Sequence, residues 1–441
     1  MPPTDPLDQP ADAEDLLGFV DASPTPFHAA EEAARRLEAA GFQRLDEREP
    51  WRVTPGAYLV VRGGSLVAWR TTGDADPLVG MRIVGAHTDS PNLRIRPRPD
   101  TGRAGYRQLG VEVYGGALVN SWLDRDLGLS GRVAVRTGAG GVDLVPFRVD
   151  EPVLRIPQLA IHLDRAIATE GLKLNNQQHL VPIWGLGQPT EGDFRRFLAE
   201  RLDVPADAVT GWDAMAHDTV PGAVVGVDRS LVSSPRLDDQ LSCWAAVEGL
   251  IRAAGTDHPA HVEVPVPVVC LFDHEEVGST SATGADSTLL PTVLERICLA
   301  AGLDRESYHR ALAGSRCLSA DGAHATHPNY AERHEPGHTI AIDGGPVLKH
   351  NANVRYATDA AGTTEVRLAA ERVGVPLQEF VTRGDMPCGS TIGPTTAARL
   401  GITTVDVGVA QLAMHSIREL CGRTDAERFV PLLAAFLAPA A

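Results

Sequence analysis

Two stretches of this chain alternate helical periodicity with short, unbroken apolar runs, and a long glycine-rich stretch of different texture separates them. Amphipathic helices are expected over 13–22 and 26–40. The second reads FHAAEEAARRLEAAGF, with Gly41 positioned to end it. Strands follow at 58–61, 66–70 and 82–86, the last an apolar run suited to burial on both faces. The same rhythm returns after about residue 234. It predicts a helix over 239–254, a strand over Val266–Phe272, a helix over 287–301 and strands at 317–320 and 339–342. A helix over 362–373, a strand over 402–408 and a closing helix over 426–437 complete it. Helices alternating with buried strands imply the α/β class, with a mixed, mostly parallel sheet covered by helices on both faces.

The intervening stretch reads otherwise. Segments 111–114, 131–136 and 142–149 alternate in the manner of antiparallel strands, with turn signals at Gly115 and Gly116 and at 138–141. Helical periodicity reappears there only at 190–201. The expected organisation is a first part over 1–95, a β-rich insert over 96–233 and a second part over 234–441. Residues 1–12, rich in Pro and Asp, are expected to fray.

Composition narrows the function classes. A formal net charge of −17 argues against nucleic acid or an anionic membrane as partner, and it repels acidic substrates at long range. Any preference for acids therefore needs a local cation. The N-terminus lacks the basic and apolar runs of a targeting leader, and no uncharged apolar run reaches the roughly 18 residues of a membrane span. The six cysteines stand singly, without a CxxC pair, so reduced thiols and a cytoplasmic setting are expected.

Metal-type ligands cluster where apolar strands end or a helix begins. GAHTDSP carries His87 and Asp89, SPRLDD carries Asp238 and Asp239, and LFDHEEVGS carries Asp273, His274, Glu275 and Glu276. LSADGAH adds Asp321 and AMHSIRE adds His415. Taken singly, each has an ordinary explanation: a surface pair, an acidic helix start, a solvated loop. Jointly they converge, because sites in open α/β sheets form beyond the carboxyl ends of the strands. Two histidines and several carboxylates suit zinc held by nitrogen and oxygen, and Co²⁺ or Mn²⁺ tolerate the same donors. Two ions close together need a shared carboxylate and about two further ligands each.

These motifs resemble the aspartyl aminopeptidases, a family of dinuclear zinc metallopeptidases. The resemblance runs over nearly the whole chain through GAHTDSPNLR, GGALVNSWLDRDLGLSGRV, LAIHLDR, SPRLDDQLSC, FDHEEVGS, HATHPNY, DMPCGSTIGP and AMHSIRE. It implies an α/β/α sandwich metallopeptidase domain interrupted by a β-rich dimerisation domain, dimers that build a tetrahedral dodecamer, and two Zn²⁺ per subunit. Carried over, Asp238 bridges the ions, His87 and Asp321 complete one site, and Glu276 and His415 the other. Asp89 stands behind the zinc-binding histidine, Glu275 is the general base, and His162 reaches a neighbouring subunit's active site. Lys349 lies near the substrate, and Asp385, Met386, Gly389 and Ser390 belong to the 385–394 loop lining the specificity pocket. Asp239 stands where many relatives have Asn, and Gly322 where some have a larger residue; neither is a ligand position in the family.

The implied reaction is removal of an N-terminal Asp or Glu from a peptide by water that the metals make nucleophilic, their effect being to lower its pKa from 15.7 toward about 7. The competing readings are a neutral-residue aminopeptidase, another dinuclear amide hydrolase such as a deacetylase or small-peptide carboxypeptidase, and a non-catalytic zinc-dependent scaffold. The scaffold reading predicts a lost ligand or base, yet all five ligands and Glu275 are in the sequence.

Overall fold

The structure, a computed structural model, describes residues 7, 11–51, 55–71, 76–138, 140–254 and 264–439. The fraying expected of residues 1–12 falls largely outside these. The chain divides into two compact units: Met1–Asp89 with Gly222–Met414 and Glu419–Ala441, and Ser90–Pro221 with His415–Arg418.

The first unit is built on a mixed sheet. Among the described residues its nine strands run in the order Gln43–Arg44, Gly56–Arg62, Ser65–Thr71, Val266–Phe272, Met81–His87, Arg316–Ala320, Thr403–Gly408, Val347–His350 and Gln378–Val381. Five of the eight pairings are parallel, including all those within the central group from Val266–Phe272 to Thr403–Gly408. Val, Ile, Leu, Cys and Ala make up about half of those central strands, and nearly every residue on both faces is buried. Burial on both faces is what a parallel sheet under two helical layers requires. Register then does the positioning: Phe272 pairs with His87, and Ser319 with Gly85, so the carboxyl ends of three strands lie level.

The helices start where local chemistry directs. Asp12 accepts the Glu14 N–H to open Ala13–Ala22, and Thr25 followed by Pro26 opens Pro26–Ala39. Leu237–Ala254 packs against the Met81–His87 strand and the closing helix Arg423–Leu437. Its first turn is irregular, Asp238 and Asp239 both lying outside helical geometry. A second, smaller sheet of this unit runs Ala223–Val225, Leu231–Ser234, Glu419–Gly422, Ala410–Leu412 and Ala323–His324.

One expected strand fails. Residues 339–342 carry apolar alternation, but only Ile340 is buried there, and the segment bonds to Thr326 and to the Gln378 side chain instead of joining the sheet. The strand in that region is Val347–His350, after the Asp343–Gly345 turn. The helices Arg305–Gly314 and Ile392–Leu400 had no expectation in the sequence.

The second unit is a closed barrel of six strands: Val209–Asp218, Asn92–Arg103, Tyr106–Tyr114, Ile183–Leu186, Val142–Arg155 and Asp126–Arg136. Leu93, Leu109, Leu127, Leu129 and Phe147 fill it, and Phe194 of the helix Asp193–Leu202 joins this core. The unit begins at Ser90 and ends at Pro221, against 96 and 233 expected from texture. Asn92 already pairs in the barrel ladder, whereas Ala223–Val225 and Leu231–Ser234 pair within the first unit. Among the described residues no helix is long and apolar enough to cross a membrane.

Candidate metal centre

His87 ends the central strand Met81–His87, and Asp321 directly follows Arg316–Ala320. Asp238 and Asp239 arrive from the irregular start of Leu237–Ala254. One donor atom from each of these four residues lies within 4.8 Å of the others, and all four residues are buried. The His87 Nε2 is 3.4 Å from Asp238 Oδ1 and 3.9 Å from Asp321 Oδ1. Its Nδ1 faces the other way, 3.0 Å from the Asp89 carbonyl oxygen and 3.5 Å from Asp89 Oδ1. Donation from Nδ1–H to that carbonyl leaves the Nε2 lone pair turned into the carboxylates, the orientation a metal-bound imidazole needs.

The loop that carries Glu275 and Glu276 is held from behind. Asp89, fully buried, accepts the Glu275 N–H on Oδ1 at 3.0 Å and the Glu276 N–H on Oδ2 at 3.1 Å. His274, at φ 68°, turns the chain immediately before them, its Nδ1 2.9 Å from Ser281 Oγ. Glu275 and Glu276 form a second close group with His87. Strand ends must also approach closely: a Cβ at Gly408 would stand 1.7 Å from the Asp321 carbonyl oxygen, so only glycine fits there.

Crowding shapes the titration. Burial, with Asp321, Asp89 and Asp238 adding and His87 opposing, pushes Glu275 up to about 7. Burial and the neighbouring Asp238 push Asp321 up to about 6 against the pull of Lys349. Burial also raises the Asp239 carboxyl. His87 is raised as well: burial works against its charged form, but Asp239, Asp238 and Asp89 outweigh it. Several acids packed this tightly repel one another, and a divalent cation is the species that reverses the sign of that interaction. The donor set, one imidazole nitrogen and carboxylate oxygens, fits zinc.

The remaining expected residues are distributed as follows. Lys349, 2% exposed, donates from Nζ to the carbonyls of Asp321 (3.2 Å) and Gly322 (3.0 Å), and stands 3.8 Å from Asp321 Oδ2. Asp385, Met386, Gly389 and Ser390 lie exposed on a loop. Asp385 pairs with Arg383, while Gly389 and Ser390 bond to Arg355. His162 is exposed in the barrel unit, between the exposed side chains of Ile161 and Leu163. His415, at φ 66°, belongs to the short segment His415–Arg418 of that same unit, where its Nδ1 is 3.2 Å from the Gly116 carbonyl oxygen. Asp239, a non-ligand position by the resemblance, supports the site through His87. It is fully buried in the donor group, and its Oδ2 accepts the His87 N–H at 3.1 Å. Its adjacency to Asp238 was the available signal.

A nitrogen-and-carboxylate donor set at the carboxyl ends of a mostly parallel sheet defines a metal-binding α/β protein. Family comparison makes the class specific: residues 19–437 match the model described as aminopeptidase I zinc metalloprotease (M18), and the chain belongs to that family. It is a zinc metalloaminopeptidase. The chain is 53% identical over 429 residues to a probable M18 family aminopeptidase 2 of Streptomyces coelicolor, covering 97% of each. Its fold matches a chain in the cryo-EM structure of the Ape4 and Nbr1 complex with a TM-score of 0.92 at 38% identity, covering 97% of this chain and 85% of that one. It also matches the S. cerevisiae mApe1 dodecamer with a TM-score of 0.82 at 29% identity, covering 96% and 95%.

Proposed function

We propose that this aminopeptidase removes a single N-terminal residue, preferably Asp or Glu, at a centre of two zinc ions, with Glu275 as general base. Asp238 would be shared between the ions, His87 and Asp321 would hold one, and Glu276 and His415 would hold the other. The observation that carries the reading is Glu275 itself: a partly buried carboxyl beside the donor group, pushed up to about 7 and held through its backbone N–H by Asp89. Bound zinc supplies Lewis acidity toward water and the peptide carbonyl.

The residues do the rest. Asp89 keeps the His87 ring oriented through Nδ1 and anchors the turn that carries Glu275. Glu275 accepts a proton from the attacking water and returns it to the leaving amine nitrogen. A base with a pKa near the working pH suits both transfers. The acidic preference rests on the family resemblance and on Lys349, the buried cation beside Asp321, with the 385–394 loop shaping the pocket.

Assembly belongs to the same proposal. The mApe1 relative is a dodecamer, and this chain is read as a homo-oligomer whose barrel unit makes the dimer contact. Leu159, Ile161 and Leu163 are 62%, 56% and 75% exposed around His162, apolar surface that a second copy would cover. In that arrangement His162 serves the neighbouring active site. Six free thiols, five of them buried, support a reducing, cytoplasmic setting.

Zinc content measured together with kcat/KM on Asp-, Glu- and Leu-terminal substrates tests the reading. Two zinc ions per chain and a clear acidic preference that Lys349→Met erases are expected. Equal turnover of Leu substrates would replace it with a neutral aminopeptidase.

A further inference from the structure

Glu419 is a buried carboxylate that the proposed chemistry does not use. It opens the strand Glu419–Gly422 opposite Ser234, four residues before Asp238, and it accepts the Asp238 backbone N–H at 2.8 Å. Glu419 is 2% exposed and Asp238 3%. Asp238 has φ −84° and ψ 104°, outside helical geometry, so the helix that follows does not dictate where its carboxylate stands. Something else must. A charged acceptor grips an N–H about twice as strongly as a neutral one, and burying it beside other acids is costly, so its presence there needs a reason. Two other buried acids serve the centre in the same way: Asp239 holds the His87 N–H, and Asp89 holds those of Glu275 and Glu276.

Glu419 is itself fixed by its strand. Glu419–Gly422 runs antiparallel to Leu231–Ser234 and to Ala410–Leu412 in the smaller sheet of the first unit, and Glu419 pairs with Ser234.

We propose that Glu419 is a positioning residue for the metal centre, setting the Asp238 carboxylate through its backbone N–H. The inference rests on the reading of Asp238 as a metal ligand. It needs no contact between Glu419 and metal or substrate.

The test uses the full-length protein and the variants Glu419→Gln, Glu419→Met and Asp238→Asn. The readouts are zinc affinity by chelator competition, and kcat and KM at saturating zinc. Glu419→Met should lose about 10–100-fold in zinc affinity, the range for residues that orient a ligand, with KM unchanged. Glu419→Gln keeps an acceptor oxygen and should recover most of that loss. Wild-type zinc affinity in Glu419→Met, or equal losses in Gln and Met, would overturn the role of Glu419. Should Glu419→Met not fold, a loss of the full 10–100-fold in Glu419→Gln overturns the N–H grip. If Asp238→Asn leaves zinc affinity intact, the metal-ligand reading falls; if it alone lowers affinity, only the Glu419 proposal does.

Discussion

Stripping the metal with a chelator should expose how much electrostatic strain the centre holds, and pH should control it. Asp321 rises from 3.8 to about 6, Glu275 from 4.5 to about 7, and His87 rises too. A group whose pKa is raised in the folded state stabilises the fold fully below its unfolded value. That contribution is lost as pH climbs through the folded value. The stripped protein should therefore lose stability between about pH 4 and pH 7, the window these two carboxyl shifts define. Each carboxyl shift is about two units, or about 3 kcal/mol at about 1.4 kcal/mol per unit.

Zinc must displace the protons of its proposed ligands Asp321 and His87. Its apparent affinity should climb by about one decade per pH unit below pH 6 as Asp321 loses its proton, with the raised His87 steepening the climb and carrying it to higher pH. Thermal unfolding of stripped and zinc-loaded protein at pH 5, 6, 7 and 8, with chelator competition at each, reads both quantities. A gap in Tm that does not widen with pH, or an affinity slope below about half a decade per unit between pH 5 and 6, would refute the electrostatic account.

Glu275→Gln should keep wild-type zinc content while kcat falls about 10²–10⁴-fold, the usual worth of a general base; near-normal turnover removes Glu275 from that role. Gly408→Ala drives a methyl group into the Asp321 carbonyl, so a loss of about 1–3 kcal/mol in unfolding free energy and weaker zinc binding are expected; an unchanged Tm refutes the close approach. Subunits carrying His162→Ala and subunits carrying Glu275→Gln should each be nearly inactive alone and regain activity when co-assembled. Absence of recovery argues against action between subunits.

Much of this protein can be read without coordinates because its signals are local. The alternation of helical and apolar-strand periods sets the layered α/β architecture, and the caps at Asp12 and Thr25 mark two helix starts at the expected residues. His87, Asp238, Glu275 and Asp321 stand out because each follows an apolar run or opens a helix. Other features depend on contacts between distant residues. Residues 339–342 alternate like a strand, yet the sheet takes Val347–His350, because the place between Thr403–Gly408 and Gln378–Val381 goes to the segment that meets both. Lys349 looks like an ordinary surface lysine in sequence. Only the fold buries its ammonium against the carbonyls of Asp321 and Gly322. Asp239 joins the donor group, and Glu419 grips Asp238 across 181 residues of chain. Periodicity reports which face of an element is buried. Which acid meets which N–H is set by strand order and register, and those exist only once the sheet has formed.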